Sequence, residues 1–498
     1  MSNKGQLPRS TPESQGVSST GILAFVNAAK QNLHLHSFML LRHGHVIAEA
    51  WATPYRPEHV QELFSMSKSF VGTAIGLAVA DGLLTVDTPV ISFFPDDVPA
   101  TISKNLAAMQ VHHLLSLVTG HSNDTLEALF DSTDGNWVKA FLAEPVDHAP
   151  GAHFGYNSGA SYMLSAIVHQ VTKMTTLDYL QRRLFDTLGA GPGSWTSCPR
   201  GIHVGGWELS LTTEDVARFG QFYLQKGMWQ AQQLLPEAWI MEATSRQVAS
   251  KSFNNDIDWE QGYGYQFWCS RHNGYHASGA FGQFCLVLPD QDVVFVVTSG
   301  HKDGQMILDH VWTYLLSAMH ENALSEDRAT QTISTQNMLA EALGSLAISK
   351  PEGRPSSPIM SSVSGKNYHF DRTMQEPLGG EPLVDTMVWH FGKQAGTVTI
   401  QDARGQQQVT FGYYDWHEGL TTLHQDAAQP IAAIGAWIAE DTFQVNVCFV
   451  ETPFCRTLTC QFDDATIHYD LSMNIGFGPT ERVQFVGRHT RQDVTAKE

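Results

Sequence analysis

Ser65 and Lys68 have the side chains and the spacing of a nucleophile and its base. Positions i and i+3 share one face of a helix, so the Lys68 amine can reach the Ser65 hydroxyl and accept its proton. Such a pair predicts attack of Ser65 on an ester or amide carbonyl and formation of an acyl-enzyme. The spacing alone is weak evidence, because about two matches are expected by chance in a chain this long. Ser299 and Lys302 are a second match.

The segment that follows Ser65 predicts a buried helix that positions the pair. It is apolar on nearly all sides up to Gly82, where the glycine predicts the helix stop. Small residues that would let neighbouring elements pack closely recur at Gly72, Ala74, Gly76, Ala78 and Ala80. Ser65 would then lie at the helix N-terminus, where free backbone N–H groups favour developing negative charge. No long helical segment begins at Ser299, and the alternative for the first pair is a helix-capping Ser with an exposed Lys.

Three sequence blocks follow one another around this helix: FSMSKSF, then DGLLTVDTPVISFFPD, then VHHLLSLVTGH. In this order they resemble the serine β-lactamase and penicillin-binding-protein family, including its esterases and peptidases. The resemblance continues through PGAHFGYNSGASYMLSAIV, LTTEDVARFGQFYLQKG and GAFGQFCLVLPDQDVVFVV, over roughly residues 10–320. It implies an α+β fold with an antiparallel sheet flanked by helices and a mainly helical lobe, and an active site between them.

The second element of this family is a Tyr in a Y-x-N triplet, which corresponds here to Tyr156, Asn157 and Ser158. The resemblance implies that Tyr156 carries, or shares with Lys68, the proton between Ser65 and the leaving group. Ser158 departs from the family pattern, in which Asn is usual, but it can still hydrogen-bond a substrate amide or Lys68. Outside this context Tyr156 would be read as a core aromatic with a bonded hydroxyl.

The third element of the family is K-T-G on a strand beside the site, and the matching segment here is HASG, residues 276–279. Alignment on Gly279 places Ala277 where the family has the Lys that holds a carboxylate. His276, one residue earlier, is a candidate replacement for that Lys. The alternative is that His276 is an ordinary core or surface histidine.

The same strand is expected to complete the oxyanion hole. In the family, the backbone just after the Gly supplies a second N–H donor, which here belongs to Ala280 and would act alongside the N–H of Ser65. Gly279 would permit the close approach that this requires. Ser278 is a candidate substrate contact, or else a strand residue bonded to its own backbone.

Other chemistries find little support in the sequence. HENAL and HEGLT lack the second His of a zinc protease motif, and G-x-S-x-G does not occur. The six Cys form no C-x-x-C pair, so we expect free thiols, most of them buried. The sequence therefore predicts neither a metal site nor a cofactor.

A stretch rich in Pro, Gly and Ser, residues 351–365, predicts a connection between two domains. Residues 1–350 would form the hydrolase domain. Residues 366–498 contain short segments of alternating polarity separated by turn residues, which predict an antiparallel β domain that is barrel-like. Trp389, Trp416 and Trp437 are expected in its core, with a ligand pocket there as the alternative.

The charge of the chain limits its partners. Among 498 residues, 50 Asp and Glu against 30 Lys and Arg give a net charge of -20, which disfavours nucleic acid and anionic membranes. The first residues lack the apolar core of a secretory signal, and no long apolar run predicts a membrane span. We therefore expect a cytoplasmic protein that acts on small molecules.

The missing K-T-G lysine favours an esterase, amidase or peptidase that acts on a small ester, an amide or a short peptide. A true β-lactamase or a D-amino-acid peptidase is the alternative within hydrolases. The rival from another class is a ligand-binding or sensory protein that keeps the fold without turnover.

Overall fold

The computed structural model describes residues 6–251, 256–321, 329–372, 383–423, 425, 427–463, 465–480 and 483–489. The chain forms two compact units. The first comprises residues 1–51 and 57–346, and the second comprises residues 52–56 and 347–498. Sequence reasoning did not assign residues 52–56 to the second unit, and the domain limits at 350 and 366 stay a prediction.

Short and long strands alternate with helices in the first unit. Its strands are β1 (Leu35–Arg42), β2 (His45–Trp51), β3 (Gln61–Glu62), β4 (Ser194–Trp195), β5 (Leu209–Leu211), β6 (Met228–Trp229), β7 (Gln232–Gln233), β8 (Trp268–Cys269), β9 (Tyr275–Gly279), β10 (Gln283–Leu288) and β11 (Val293–Ser299). Within the described residues, six of them form an antiparallel sheet in the order β2-β1-β11-β10-β9-β8. The predicted antiparallel sheet is confirmed.

Helices cover the sheet and build a lobe beside it. They are α1 (Ser19–Asn32), α2 (Ser67–Ala80), α3 (Lys104–Ala108), α4 (Val111–Leu115), α5 (Leu126–Phe130), α6 (Trp137–Ala143), α7 (Ser158–Thr172), α8 (Thr176–Leu180), α9 (Asp186–Leu188), α10 (Thr213–Leu224), α11 (Glu237–Thr244), α12 (Gly304–His310) and α13 (Ala329–Gly344). Strands β1 and β11 are buried along their whole length, which fits a sheet covered on both faces. Helix α10 packs on β10 and β11, and α1 packs against α13.

Helix α2 is buried on every side from Ser67 to Ala78, as its composition predicts. It packs against α7. Its small residues are needed for this packing, because a Cβ on Gly76 would lie 2.4 Å from the indole of Trp239. A Cβ on Gly72 would lie 3.1 Å from the side chain of Gln266. Close packing on all sides thus fixes the helix that begins just after Ser65.

The second unit is the predicted antiparallel β domain. It contains α14 (Met360–Val363) and the strands β12 (Asn367–Phe370), β13 (Thr386–Phe391), β14 (Ala395–Asp402), β15 (Gly405–Gly412), β16 (His417–Thr421), β17 (Gln429–Trp437), β18 (Thr442–Phe449), β19 (Cys455–Phe462), β20 (Thr466–Met473) and β21 (Val483–Arg488). Nine strands of its described part close into a barrel in the order β15-β14-β13-β12-β21-β20-β19-β18-β17, because β17 pairs with β15. Strand β16 pairs with β17.

Aromatic side chains fill the barrel of the second unit. Trp389 and Trp437 are buried in its core with Phe411 and Phe443, whereas Trp416 is half-buried. The indole of Trp389 lies 5.7 Å from the ring of Phe443 between centroids. The alternation of buried and half-exposed residues along β14 and β18 is what a barrel with a packed interior requires.

Two further expectations concern the whole chain. The six cysteines are free thiols, and all but the half-buried Cys269 are buried. In the part of the chain that the structure describes, no helix combines the length and the apolar character that crossing a membrane requires. The cytoplasmic location stays a prediction.

Candidate active site

Ser65 lies in a short 3-10 turn, Phe64–Met66, that leads directly into α2. The neighbouring Ser67 stabilises this turn. Its hydroxyl donates to the Phe64 carbonyl (2.5 Å) and accepts from the Leu209 N–H (3.1 Å). Phe64 has a φ of 47°, a left-handed conformation that costs energy for a residue with a side chain. The fold therefore imposes the position of Ser65, which is half-buried and lines a cavity.

Lys68 points back at Ser65 from the first turn of α2. Its side chain is buried, and its Nζ donates to Ser65 Oγ (3.3 Å), Ser158 Oγ (3.2 Å) and the Gly206 carbonyl (2.9 Å). These acceptors match the three N–H donors of an ammonium group. A Cβ on Gly206 would lie 3.3 Å from the Lys68 Nζ, so a larger residue would crowd the amine. Lys68 is thus fixed where it can exchange a proton with Ser65.

Tyr156 lies beside the same amine. The Lys68 Nζ is 4.8 Å from the centroid of the Tyr156 ring, a cation–π distance. On the other side the ring stacks on Trp268, with centroids 5.9 Å apart and planes 12° apart. Tyr156 is half-buried and lines the cavity with Ser65. The structure thus brings together the three side chains to which the sequence assigned the proton transfer.

Asn157 and Ser158 form the start of α7. Asn157 is buried as the N-cap, and its side-chain carbonyl accepts from the Ala160 N–H (3.1 Å) and from the Thr125 hydroxyl (2.9 Å). Ser158 contacts Lys68, and its N–H donates to the Asp124 carboxylate (2.9 Å). Of the two, Ser158 contacts the catalytic candidates directly, while Asn157 has a structural role in orienting α7; a substrate contact of either residue stays a prediction.

Strand β9 brings Gly279 and Ala280 next to the nucleophile. A Cβ on Gly279 would lie 2.1 Å from the Leu63 carbonyl oxygen, far inside contact distance, so only glycine fits here. The strand therefore passes directly against the backbone that precedes Ser65. Ser278, Gly279 and Ala280 all line the cavity that contains Ser65.

His276 lies on β9 but is completely buried. Its ring packs against Trp259 and Phe284, with centroids 5.1 and 5.6 Å away, and its Nδ1 is 2.6 Å from Ser270 Oγ. Burial lowers the pKa of His276 to about 4, so the ring is neutral near pH 7. Since Trp259 and Phe284 line the cavity and His276 lies behind them, we do not propose it as a replacement for the missing K-T-G lysine.

The cavity has a volume of about 220 Å³. Its described lining residues are Ser65, Tyr156, Asp256, Trp259, Trp268, Ser278, Gly279, Ala280, Phe281, Gly282, Phe284, Lys302 and Gly304. The walls are mostly aromatic and glycine-rich, and among these residues Lys302 is the one cation and Asp256 the one acid. The size suits a small acyl group.

A buried carboxylate supports the wall of the cavity from behind. Asp258 accepts from Arg271 (2.8 Å), Gln305 (2.7 Å) and the indole N–H of Trp312 (3.0 Å). Burial alone would raise the pKa of Asp258, but these hydrogen bonds outweigh it and hold the pKa at about 2. The carboxylate therefore joins the segment that carries Trp259 to α12 and to the β8–β9 turn.

Sequence reasoning missed several residues of this site. Gly206 and Asp256 come from loops remote in sequence, and only the pair of glycines at 205 and 206 gave a local signal. Lys302 was noticed only as a chance match to the spacing of Ser65 and Lys68. In the described part of the chain, no cluster of three or more His, Cys, Asp or Glu side chains could hold a metal ion.

Comparison with known proteins identifies relatives of this chain. The profile of the Beta-lactamase family matches residues 28–319, more than half of the chain. The 6-aminohexanoate-dimer hydrolase of Paenarthrobacter ureafaciens is 22% identical over 286 residues, which are 54% of this chain and 73% of that protein. The family resemblance deduced from the sequence blocks is confirmed.

Solved structures align with this chain at low sequence identity. The octameric penicillin-binding protein homologue of Pyrococcus abyssi aligns with a TM-score of 0.50 at 15% identity, over 94% of this chain and 99% of that chain. A family VIII carboxylesterase aligns with a TM-score of 0.46 at 14% identity, over 66% of this chain and 98% of that chain.

Proposed function

Since the chain belongs to the β-lactamase family, a family of hydrolases, we propose that it is a serine hydrolase that cleaves an ester or amide through an acyl-enzyme on Ser65. The observation that carries the proposal is the 3.3 Å hydrogen bond from Lys68 Nζ to Ser65 Oγ at the wall of a cavity. A hydroxyl with a base at this distance and an open cavity in front of it has the arrangement of an activated nucleophile.

The reaction begins with attack of Ser65 Oγ on the substrate carbonyl carbon, while the hydroxyl proton passes to the Lys68 and Tyr156 pair. The carbonyl oxygen becomes an oxyanion, which the backbone N–H groups of Ser65 and Ala280 stabilise. The tetrahedral intermediate collapses and the leaving group departs with a proton from Lys68, relayed by Tyr156. Water then attacks the acyl carbonyl carbon and gives its proton to the same pair. The bond from that carbon to Ser65 Oγ breaks, the pair returns the proton to Ser65, and the acid product leaves.

At the K-T-G position the site departs from the pattern of the family's penicillin-recognising members, so we favour a small ester or amide over a β-lactam. Ala277, in the place of the family lysine, is buried, and His276 behind the cavity wall is neutral. The relative named for hydrolysis of the 6-aminohexanoate dimer supports an amide as one substrate class. A true β-lactamase or a D-amino-acid peptidase is the alternative within the same mechanism.

The rival from another class, a ligand-binding or sensory protein, predicts a broken nucleophile pair. Ser65 and Lys68 are instead both present and hydrogen-bonded, and Lys68 is held by two further acceptors. We therefore favour turnover over binding alone.

Stopped-flow assays with p-nitrophenyl butyrate, the matching p-nitroanilide and nitrocefin test the proposal. We expect a burst of one equivalent of nitrophenolate per chain, and loss of both burst and turnover in Ser65→Ala. Ser317→Ala is the matched control, since Ser317 is an exposed helix residue that bonds the Thr313 carbonyl. Turnover that survives in Ser65→Ala would refute the proposal, and nitrocefin turnover faster than ester turnover would favour the β-lactamase alternative.

A further inference from the structure

Lys302 lies in the cavity of Ser65 without a structural partner. It follows β11, is exposed, and lines the cavity with Ser65, Ser278 and Ala280. Within the described part of the chain its ammonium forms neither an ion pair nor a hydrogen bond. An ammonium at the wall of an active-site cavity that is not engaged in such contacts is available to bind the substrate.

The backbone before Lys302 is joined to the turn that carries Ala280. The His301 N–H donates to the Phe281 carbonyl (3.1 Å), and the Ser299 hydroxyl donates to the carbonyls of Phe281 and Gly282 (3.0 Å each). The side-chain amide of Gln283 donates to the Ser299 carbonyl (2.8 Å). These bonds fix the approach to Lys302 relative to the oxyanion-hole candidate.

The backbone after Lys302 is fixed as well. Asp303 caps α12 by accepting from the Met306 N–H (2.9 Å). A Cβ on Gly304 would lie 3.0 Å from both Phe284 and Trp259, so the chain presses against the aromatic wall of the cavity. Both neighbours of Lys302 are thus held, and its ammonium moves only within the reach of one side chain.

The charges of the chain and of the cavity indicate that this ammonium serves to bind an anion. The chain carries a net charge of -20, and Asp256 also lines the cavity, so an anionic substrate would meet repulsion without a local cation. The aromatic rings of Trp259, Trp268 and Phe284 make part of the same wall apolar and leave Lys302 as the cation among the described lining residues. Neither Ala277 nor the neutral His276 supplies such a cation.

We propose that Lys302 binds a carboxylate of the substrate and makes this site selective for esters or amides whose acyl part carries a negative charge. The inference rests on the proposed function, and it names the substrate class of the same cavity. The ion pair positions the substrate carbonyl; Lys68 and Tyr156 remain the groups that transfer protons.

The test compares two esters of one length: the p-nitrophenyl monoester of glutaric acid, and the same compound with its free carboxylate methylated. We expect the wild type to have the higher kcat/KM on the anionic ester. Lys302→Gln should lower that value about tenfold and leave the methylated ester within about twofold. Lys302→Glu should lower it further. Lys30→Gln, at an exposed residue of helix α1, is the matched control and should change neither value.

A second measurement does not depend on turnover. Calorimetric titration with glutarate should show binding to Ser65→Ala that weakens about tenfold when Lys302→Gln is added. Equal losses on both esters, or equal glutarate binding with and without Lys302, would overturn the role of Lys302 while leaving the acyl-enzyme intact. Hydrolysis of both esters that survives in Ser65→Ala would instead overturn the proposed function.

Discussion

The pairs Ser65–Lys68 and Ser299–Lys302 have the same spacing in sequence and opposite environments in the first unit. Lys68 is buried and bonded to Ser65, whereas Lys302 is exposed and separate from Ser299. The Ser65 hydroxyl opens onto the cavity, whereas the Ser299 hydroxyl is fully buried and donates to two carbonyls. The first pair begins a helix, where i and i+3 share a face; the second leaves the end of a strand.

The chemistry of this spacing therefore depends on the backbone around it. A helix places the lysine over the serine, so one amine can accept the serine proton. At the end of a strand the two side chains are not brought onto one face. Ser299 therefore serves as a buried structural residue, and Lys302 remains an exposed charge. On this account the two lysines divide the work: Lys68 transfers protons and Lys302 recognises charge.

The largest expected effect is at Lys68. Lys68→Ala should lower kcat/KM by about 10³-fold or more on every ester, because it removes the base without replacing it. Parallel kinetics on the neutral and anionic esters should show equal losses, unlike the selective loss expected for Lys302→Gln. Retention of more than a tenth of wild-type activity would remove Lys68 from the mechanism.

Gly279→Ala should be the next most damaging change. The added Cβ would overlap the Leu63 carbonyl, displacing β9 from the nucleophile and lowering kcat/KM about 100-fold. Gly419→Ala is the matched control, because a Cβ there meets no atom within 4 Å. Circular dichroism separates loss of activity from loss of fold, and a fully active folded variant would show that β9 need not touch the Ser65 turn.

Asp258→Asn tests the buried carboxylate that supports the cavity wall from behind. Loss of the buried charge that pairs with Arg271 should lower the free energy of unfolding by about 3 kcal/mol at pH 7, measured by urea denaturation. The pKa of Asp258 is lowered in the folded state, so its contribution is complete above the ordinary pKa near 4 and disappears as the pH falls through about 2. A variant with the same loss of stability relative to wild type at pH 7 and at pH 2 would argue against this charge.

Ser299→Ala is expected to have the smallest effect. It removes two hydrogen bonds to buried carbonyls and should cost about 1 to 2 kcal/mol of stability. Turnover of the neutral ester should stay within a few-fold of wild type. A catalytic loss comparable to that of Ser65→Ala would erase the distinction between the two serines.

Much of the fold could be predicted because its signals are local. The apolar run after Ser65 predicted a buried helix, and alternating polarity after residue 366 predicted the antiparallel barrel. The assignment of residues 52–56 to the second unit could not be predicted, since it depends on a bridge between Thr53 and Ala347, far apart in sequence.

The residues of the site likewise fall into those that the sequence identified and those that it did not. Ser65, Lys68 and Tyr156 belong to blocks that can be recognised from neighbouring residues. Gly206 and Lys302 reach the site only through tertiary contacts, so neither the glycine pair nor the spacing from Ser299 to Lys302 assigned them to it. For His276 the sequence left two interpretations open, and its complete burial against the rings of Trp259 and Phe284, which local sequence does not reveal, favours the core histidine.

The most direct test of the central claim is covalent labelling with a fluorophosphonate probe, followed by peptide mass spectrometry of the wild type, Ser65→Ala and Ser299→Ala. We expect one adduct, on the peptide that contains Ser65, in the wild type and in Ser299→Ala, and none in Ser65→Ala. An adduct that persists in Ser65→Ala, or one that maps to Ser299, would contradict it.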